Sequence, residues 1–137
     1  MAGYSGTPLV KKLGIKDGYR VLLRNAPARL PEELGEYRKR RFEKNLDLVV
    51  LFAETFAGFK GEFAKLMHAI HRDGTIWVAW PKKSSGIASD LSEDAIRNHA
   101  LTTSFVDVKV CAIDDTWSGL KLVIRKQLRT PVASGTH

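Results

Sequence analysis

Cysteine is nearly missing: Cys111 is the single one in 137 residues. That excludes an internal disulfide and a zinc site built from several cysteines, and a reducing cytoplasm is the expected setting. No apolar run approaches the ~20 residues a membrane-spanning helix needs. The longest, LDLVVLFA (46–53), is strand-sized. MAGYSGTPLVKK lacks a charged segment leading into an apolar core, so a secretory signal is not expected. Several motifs are missing too. No G-x-x-x-x-G-K-S/T occurs for a phosphate loop, and no H-E-x-x-H for zinc. Ser118 has no G-x-S-x-G elbow around it, which argues against a serine nucleophile.

Charge of one sign is abundant instead. Twenty-two Lys and Arg against fifteen Asp and Glu leave a net charge of +7 and a pI near 9.7. The balance favours anionic partners: phosphate groups, an anionic small molecule or protein, or nucleic acid. With 44% hydrophobic and 27% charged residues the composition is that of a soluble globular chain. One α/β domain over 1–129 is expected, followed by a flexible tail at 130–137.

Local signals place the elements. Thr7 before Pro8 reads as a helix start, with Thr7 as the cap, and Gly14 closes that helix. Asp17-Gly18 is a turn before a strand at 19–23. Pro31, Glu32 and Glu33 suggest another helix start, but Gly35 interrupts it, and 36–42 fits a helix or a charged edge strand equally. LDLVVLFA reads as a central parallel strand covered on both faces. Phe56, Phe59, Phe63, Leu66, Met67 and Ile70 recur at helical spacing, predicting a helix over 56–72 that Gly58 and Gly61 weaken and Asp73-Gly74 ends. TIWVAW (75–80) is the next buried strand. A helix follows over 92–102, capped by Ser92 or by an Asp90/Glu93 box. Strands at 105–113 and 120–128 flank the turn DDTWSG, a link too short for a parallel crossover, so they pair antiparallel. The resulting β-α-β-α-β-α-β-β pattern predicts a Rossmann-like three-layer domain with sheet order 1-2-3-5-4, parallel except for the last strand. That element order resembles the later part of the methyltransferase sheet.

Ligands of open α/β sheets bind outside the carboxyl ends of the strands. Those ends carry Arg24 and Asn25 after strand 1, and Glu54 and Thr55 after strand 2. Trp80, Lys82, Lys83, Ser84 and Ser85 follow strand 3, and Asp115, Thr116, Trp117 and Ser118 follow strand 4. Cations, hydroxyls and two indole faces there suit a phosphate or carboxylate ligand on an aromatic platform. Each has a plainer reading as well. Asp114 and Asp115 cap their own turn, adjacent lysines on a loop point opposite ways, and Trp80 and Trp117 close the core. RNAPARL after strand 1 has a proline where a nucleotide-binding loop has glycines, so no cofactor is expected at the usual place.

The four histidines form no metal constellation, and none is expected. His68 and His71 read as surface or helix-end residues, and His99 as a packing residue. Cys111 reads as an inert strand thiol. The basic segment Arg38, Lys39, Arg40, Arg41 and Lys44 is either a solvated face or a nucleic-acid strip.

Together YSGTPLVKKLGI (4–15), VLLRNAP (21–27), WPKKSSG (80–86) with LSEDAIR (91–97), and VDVKVCAIDDTWSGLKLVIRKQLR (106–129) resemble a bacterial family of small domains of unknown function. The resemblance covers nearly the whole chain except 30–45 and the tail. It implies a shared loop design and brings no activity with it. An uncharacterised cytoplasmic binding or regulatory domain is therefore the leading expectation. The alternatives are a transferase-type enzyme centred on Lys82 and Asp115, or a nucleic-acid-associated protein using 38–44.

Overall fold

A computed structural model describes residues 7–129; the expected tail at 130–137 lies outside the described residues. The sheet has five strands in the order β1-β2-β3-β5-β4. They are β1 (Val21–Arg24), β2 (Leu46–Phe52), β3 (Ile70–Pro81), β4 (Phe105–Ala112) and β5 (Trp117–Ile124). β1, β2 and β3 pair parallel, while β5 runs antiparallel to both β3 and β4. The expected order and the reversed last strand are both present: a Rossmann-like α/β sheet.

β2 and β3 are almost wholly buried, as strands covered on both faces must be. Helices α2 (Phe56–Leu66) and α3 (Glu93–Ala100) cover one face. There Phe59, Phe63, Leu66, Ile96 and Ala100 pack with Val49, Ile76, Val78, Trp80 and Leu120. The other face is covered by the short helix α1 (Leu9–Leu13) and a 3-10 segment, Glu32–Lys39. Leu9, Leu13 and Leu34 lie there against Val50, Phe52, Trp77, Ile113 and Trp117.

Several boundaries differ from the sequence reading. Pro8, not Thr7, occupies the N-cap of α1. The Leu9 and Val10 amides donate instead to the Glu33 carboxylate, each at 3.1 Å. α2 ends at Leu66 rather than 72, and Asp73-Gly74 lies inside β3. Gly74 is wedged there: a Cβ would come within 2.8 Å of Ile70 Cβ, 3.0 Å of the His71 carbonyl and 3.1 Å of the Leu46 carbonyl. Only glycine lets β3 pass its irregular register with β2 at Leu46/Leu48. Residues 36–42 are neither α-helix nor strand, because the 3-10 segment gives way to extended backbone at Arg40. β5 stops at Ile124, and Lys126–Arg129 turn into a last short helix, α4.

α3 takes Ser92 as its cap, whose Oγ accepts from the Ala95 amide at 3.1 Å. Arg97 fastens α3 to β4, donating to Asp107 at 2.9 Å and to Asp94 at 2.8 Å, and pairing with Glu93. β4 is an outer strand with a register shift between Asp107 and Lys109.

Candidate functional site

A cleft of about 470 Å³ opens at the carboxyl edge of the sheet, between the ends of β1 and β2 and the first turns of α2. Its floor is aromatic: Phe52 at the end of β2 meets Trp117 at the start of β5 edge-on, with ring centroids 5.2 Å apart. Trp117 is held by the loop before it, where Asp114 Oδ1 accepts from the Thr116 and Trp117 amides, both at 2.8 Å. That is the Asx-type capping expected of this turn.

α2 forms the wall. Thr55 caps it, its hydroxyl accepting from the Gly58 amide at 3.0 Å, and Asp90 from the loop before α3 accepts from the Phe56 amide at 2.7 Å. The Ala57 amide has no partner among the described residues. Ala57, Gly58 and Gly61 turn toward the cleft, opposite the Phe59, Phe63 and Leu66 stripe. A Cβ on Gly61 would meet nothing within 4 Å. This wall is low because two glycines leave it bare.

Charge in the cleft is balanced. Glu62 accepts from Arg24 Nε at 2.7 Å and lies 3.9 Å from Lys65 Nζ. Arg24 also lies over the Phe42 ring, 5.3 Å from its centroid. Asn25 lines the opening in a left-handed conformation, φ 58°, a geometry asparagine tolerates better than most residues.

Of the residues expected at this edge, Asn25, Glu54, Thr55 and Trp117 line the cleft, and Arg24 reaches it through Glu62. The two loops after β3 and β4 do lie side by side, since the Lys82 amide donates to the Thr116 carbonyl at 2.8 Å. Their side chains do not form one platform. Trp80 is buried on the α2/α3 face and Trp117 on the α1 face. Adjacent rungs of the ladder carry them, Trp80 opposite Ser118 and Pro81 opposite Trp117, and successive residues point to opposite faces. Lys82, Lys83 and Ser84 lie outside the cleft, as does Ser85, whose hydroxyl donates to the Lys82 carbonyl at 2.6 Å within a 3-10 turn. Asp115 is exposed, and Ser118 sits in the β5 ladder.

Sequence reasoning missed Phe52, Ala57, Glu62 and Lys65 as lining residues. A signal was present for the wall: Gly58 and Gly61, three apart in an otherwise good helical pattern, mark a helix side left bare.

Elsewhere several titratable residues serve packing and pairing. His99 lies edge-on against Phe56, Phe59 and Phe63, and burial, with Lys60 nearby, lowers its pKa. His71 pairs with Asp47 at 2.7 Å, and His68 is exposed. In the basic segment Arg38 donates to the Pro27 and Ala28 carbonyls, at 2.6 and 2.8 Å, and Arg40 pairs with Glu43 at 2.7 Å. Lys39, Arg41 and Lys44 are exposed. Among the described residues no three His, Cys, Asp or Glu side chains are grouped to hold a metal ion, and no helix is long and apolar enough to cross a membrane.

No family model matches the chain, and no curated protein matches it. Among solved structures, the chain is similar to LepI in complex with SAM, at a TM-score of 0.52 and 10% sequence identity. The likeness covers 87% of this chain and 47% of that one, so the chain spans about half the length of that neighbour. At this identity what is shared is the fold.

Proposed function

We propose that the protein is a binding or regulatory domain without a catalytic centre, and that the cleft at the carboxyl edge takes a small molecule with a planar body and one anionic, phosphate-type group. The observation that carries this is the bare α2 wall, Ala57-Gly58 and Gly61, set across from the Phe52–Trp117 floor. A planar body lies along the bare α2 wall, above the nearly buried Phe52 and Trp117 that close the base of the cleft, and its anionic group meets the open Ala57 amide at the positive end of the α2 dipole. Catalysis finds little support there. Among the described residues no His or Cys lines the cleft, Glu62 is held between two cations, and the Thr55 hydroxyl caps its helix.

A thermal-shift and calorimetric screen with SAM, adenine nucleotides, sugar phosphates and inorganic phosphate tests the reading. SAM belongs in the screen because the LepI neighbour is described in complex with it. The expected result is a stabilising ligand whose effect disappears in Gly61→Leu. That substitution fills open space on an exposed helical surface, and replacing a mid-helix glycine by alanine is worth roughly 0.5–1 kcal/mol, so the variant folds. A panel that shifts neither protein, or shifts both equally, removes the cleft as the binding site.

A further inference from the structure

On the α1 face four lysines gather, and among the described residues none of them is paired with a carboxylate. Lys109 on β4 stands directly opposite Lys121 on β5, and the Cβ atoms of such a pair lie about 5 Å apart. The neighbour of Lys121 across the sheet is Trp77. Its indole N–H donates to the Leu13 carbonyl at 2.9 Å, fastening the end of α1 over this part of the sheet. Gly14 follows in a left-handed conformation, φ 82°, and a Cβ there would lie 4.0 Å from Lys121 Nζ. Lys12 reaches down from α1 to the Ala112 carbonyl at 3.4 Å, and Lys16 extends the turn beyond Gly14.

The charges acting on Lys121 are Lys109 and Lys16, and those acting on Cys111, between them, are Lys12 and Lys109. None of the four lysines takes part in an ion pair among the described residues. Like charges placed directly opposite in a sheet destabilise it. Burial lowers the pKa of the Lys121 amine, and its lysine neighbours lower it further. The free protein carries this repulsion, and a compact anion would relieve it.

We propose that Lys12, Lys16, Lys109 and Lys121 form a second binding site, for a compact multivalent phosphate such as a polyphosphate or a multiply phosphorylated small molecule. Lysine suits it, as a point charge that needs no bidentate geometry. The site is separate from the cleft, which lies beside α2, so either can fail without the other.

Titration calorimetry of the full chain with tripolyphosphate at low salt tests it, with a short single-stranded oligonucleotide as a second arm. Wild type binds tripolyphosphate one to one. Lys109→Glu weakens binding by at least about tenfold, whereas Lys39→Glu, Lys44→Glu and Gly61→Leu leave it within about twofold. Lys109 is exposed, so its reversal is compatible with folding. Without anion, Lys109→Glu raises the melting temperature, because an opposite charge then faces Lys121. Three results would overturn the proposal: no binding by wild type, an equal loss in the Lys39 and Lys44 variants, or oligonucleotide binding that tripolyphosphate does not displace. The last would assign the lysines to a nucleic-acid surface.

Discussion

The two faces of the sheet are covered by different means. On one side α2 and α3 each bring a local cap, Thr55 for the Gly58 amide and Ser92 for the Ala95 amide, and each lays an apolar stripe on the strands. On the other side α1 is five residues long, too short to be stable alone. Its amides are capped by Glu33, more than twenty positions away, and its last carbonyl by the Trp77 indole, 64 positions away. One face is covered by helices whose caps are local in sequence. The other is tied down by long-range hydrogen bonds. The Trp117 floor and the lysine cluster both belong to that tied side, so the proposed binding surfaces depend on its ties.

The contrast breaks most sharply at two large, fully buried side chains, one on each face. Trp77→Ala and Phe63→Ala should each cost about 3–5 kcal/mol in urea unfolding, but with different local consequences. Losing Trp77 frees α1, so the amides of Leu9–Leu13 should exchange faster than global unfolding allows; losing Phe63 should leave them tracking the global rate. Equal exchange in the two variants would dismiss the indole as the tie. A smaller effect, about 1–3 kcal/mol, is expected for Gly74→Ala, where the new Cβ meets backbone on two strands; an unchanged urea midpoint would refute the close approach.

The caps sharpen the comparison further. Glu33→Ala and Thr55→Ala should each cost about 1 kcal/mol. Salt should shrink the Glu33 effect, because that cap is charged and partly exposed, and leave the Thr55 effect unchanged. Parallel salt curves would contradict the division.

The smallest effect concerns pH. Burial tends to raise the Asp47 pKa, but the Arg20 amide, the hydrogen bond and charge of His71, and the Arg20 charge together bring it below its ordinary 3.8. In acid the unfolded chain therefore takes up this proton first, and stability rises with pH across that window. The contribution is present above about pH 4 and is lost as pH falls through the folded value. Urea midpoints at pH 6 and pH 3 should differ less in Asp47→Asn than in wild type, and an identical difference would refute the assignment.

The sheet was legible because its signals are local: two nearly continuous apolar runs, a helical stripe between them, and a short link, read as DDTWSG, that forces the last strand to reverse. The α1 caps, the entry of Asp73-Gly74 into β3 and the 3-10 course of residues 32–39 were not, because each depends on groups distant in sequence. A cleft lies at the edge of the sheet that the strand ends point to, and Asn25 and Trp117 line it. Lys82 to Ser85 are not, because a single-residue alternation along the ladder sends Trp80 and Trp117 to opposite faces. The glycines of α2, read as helix weakeners, mark the wall.

The register shift in β4 also bears on how chains meet in solution. β4 is an outer strand with Val108 and Val110 exposed, which would invite a second chain to extend the sheet. The irregularity between Asp107 and Lys109 disturbs the run of outward-facing amides and carbonyls, and Lys109 adds charge to that border. At the far border β1 is only four residues long. Neither border offers a long regular template, so the sheet is guarded at both ends against growing into a fibril.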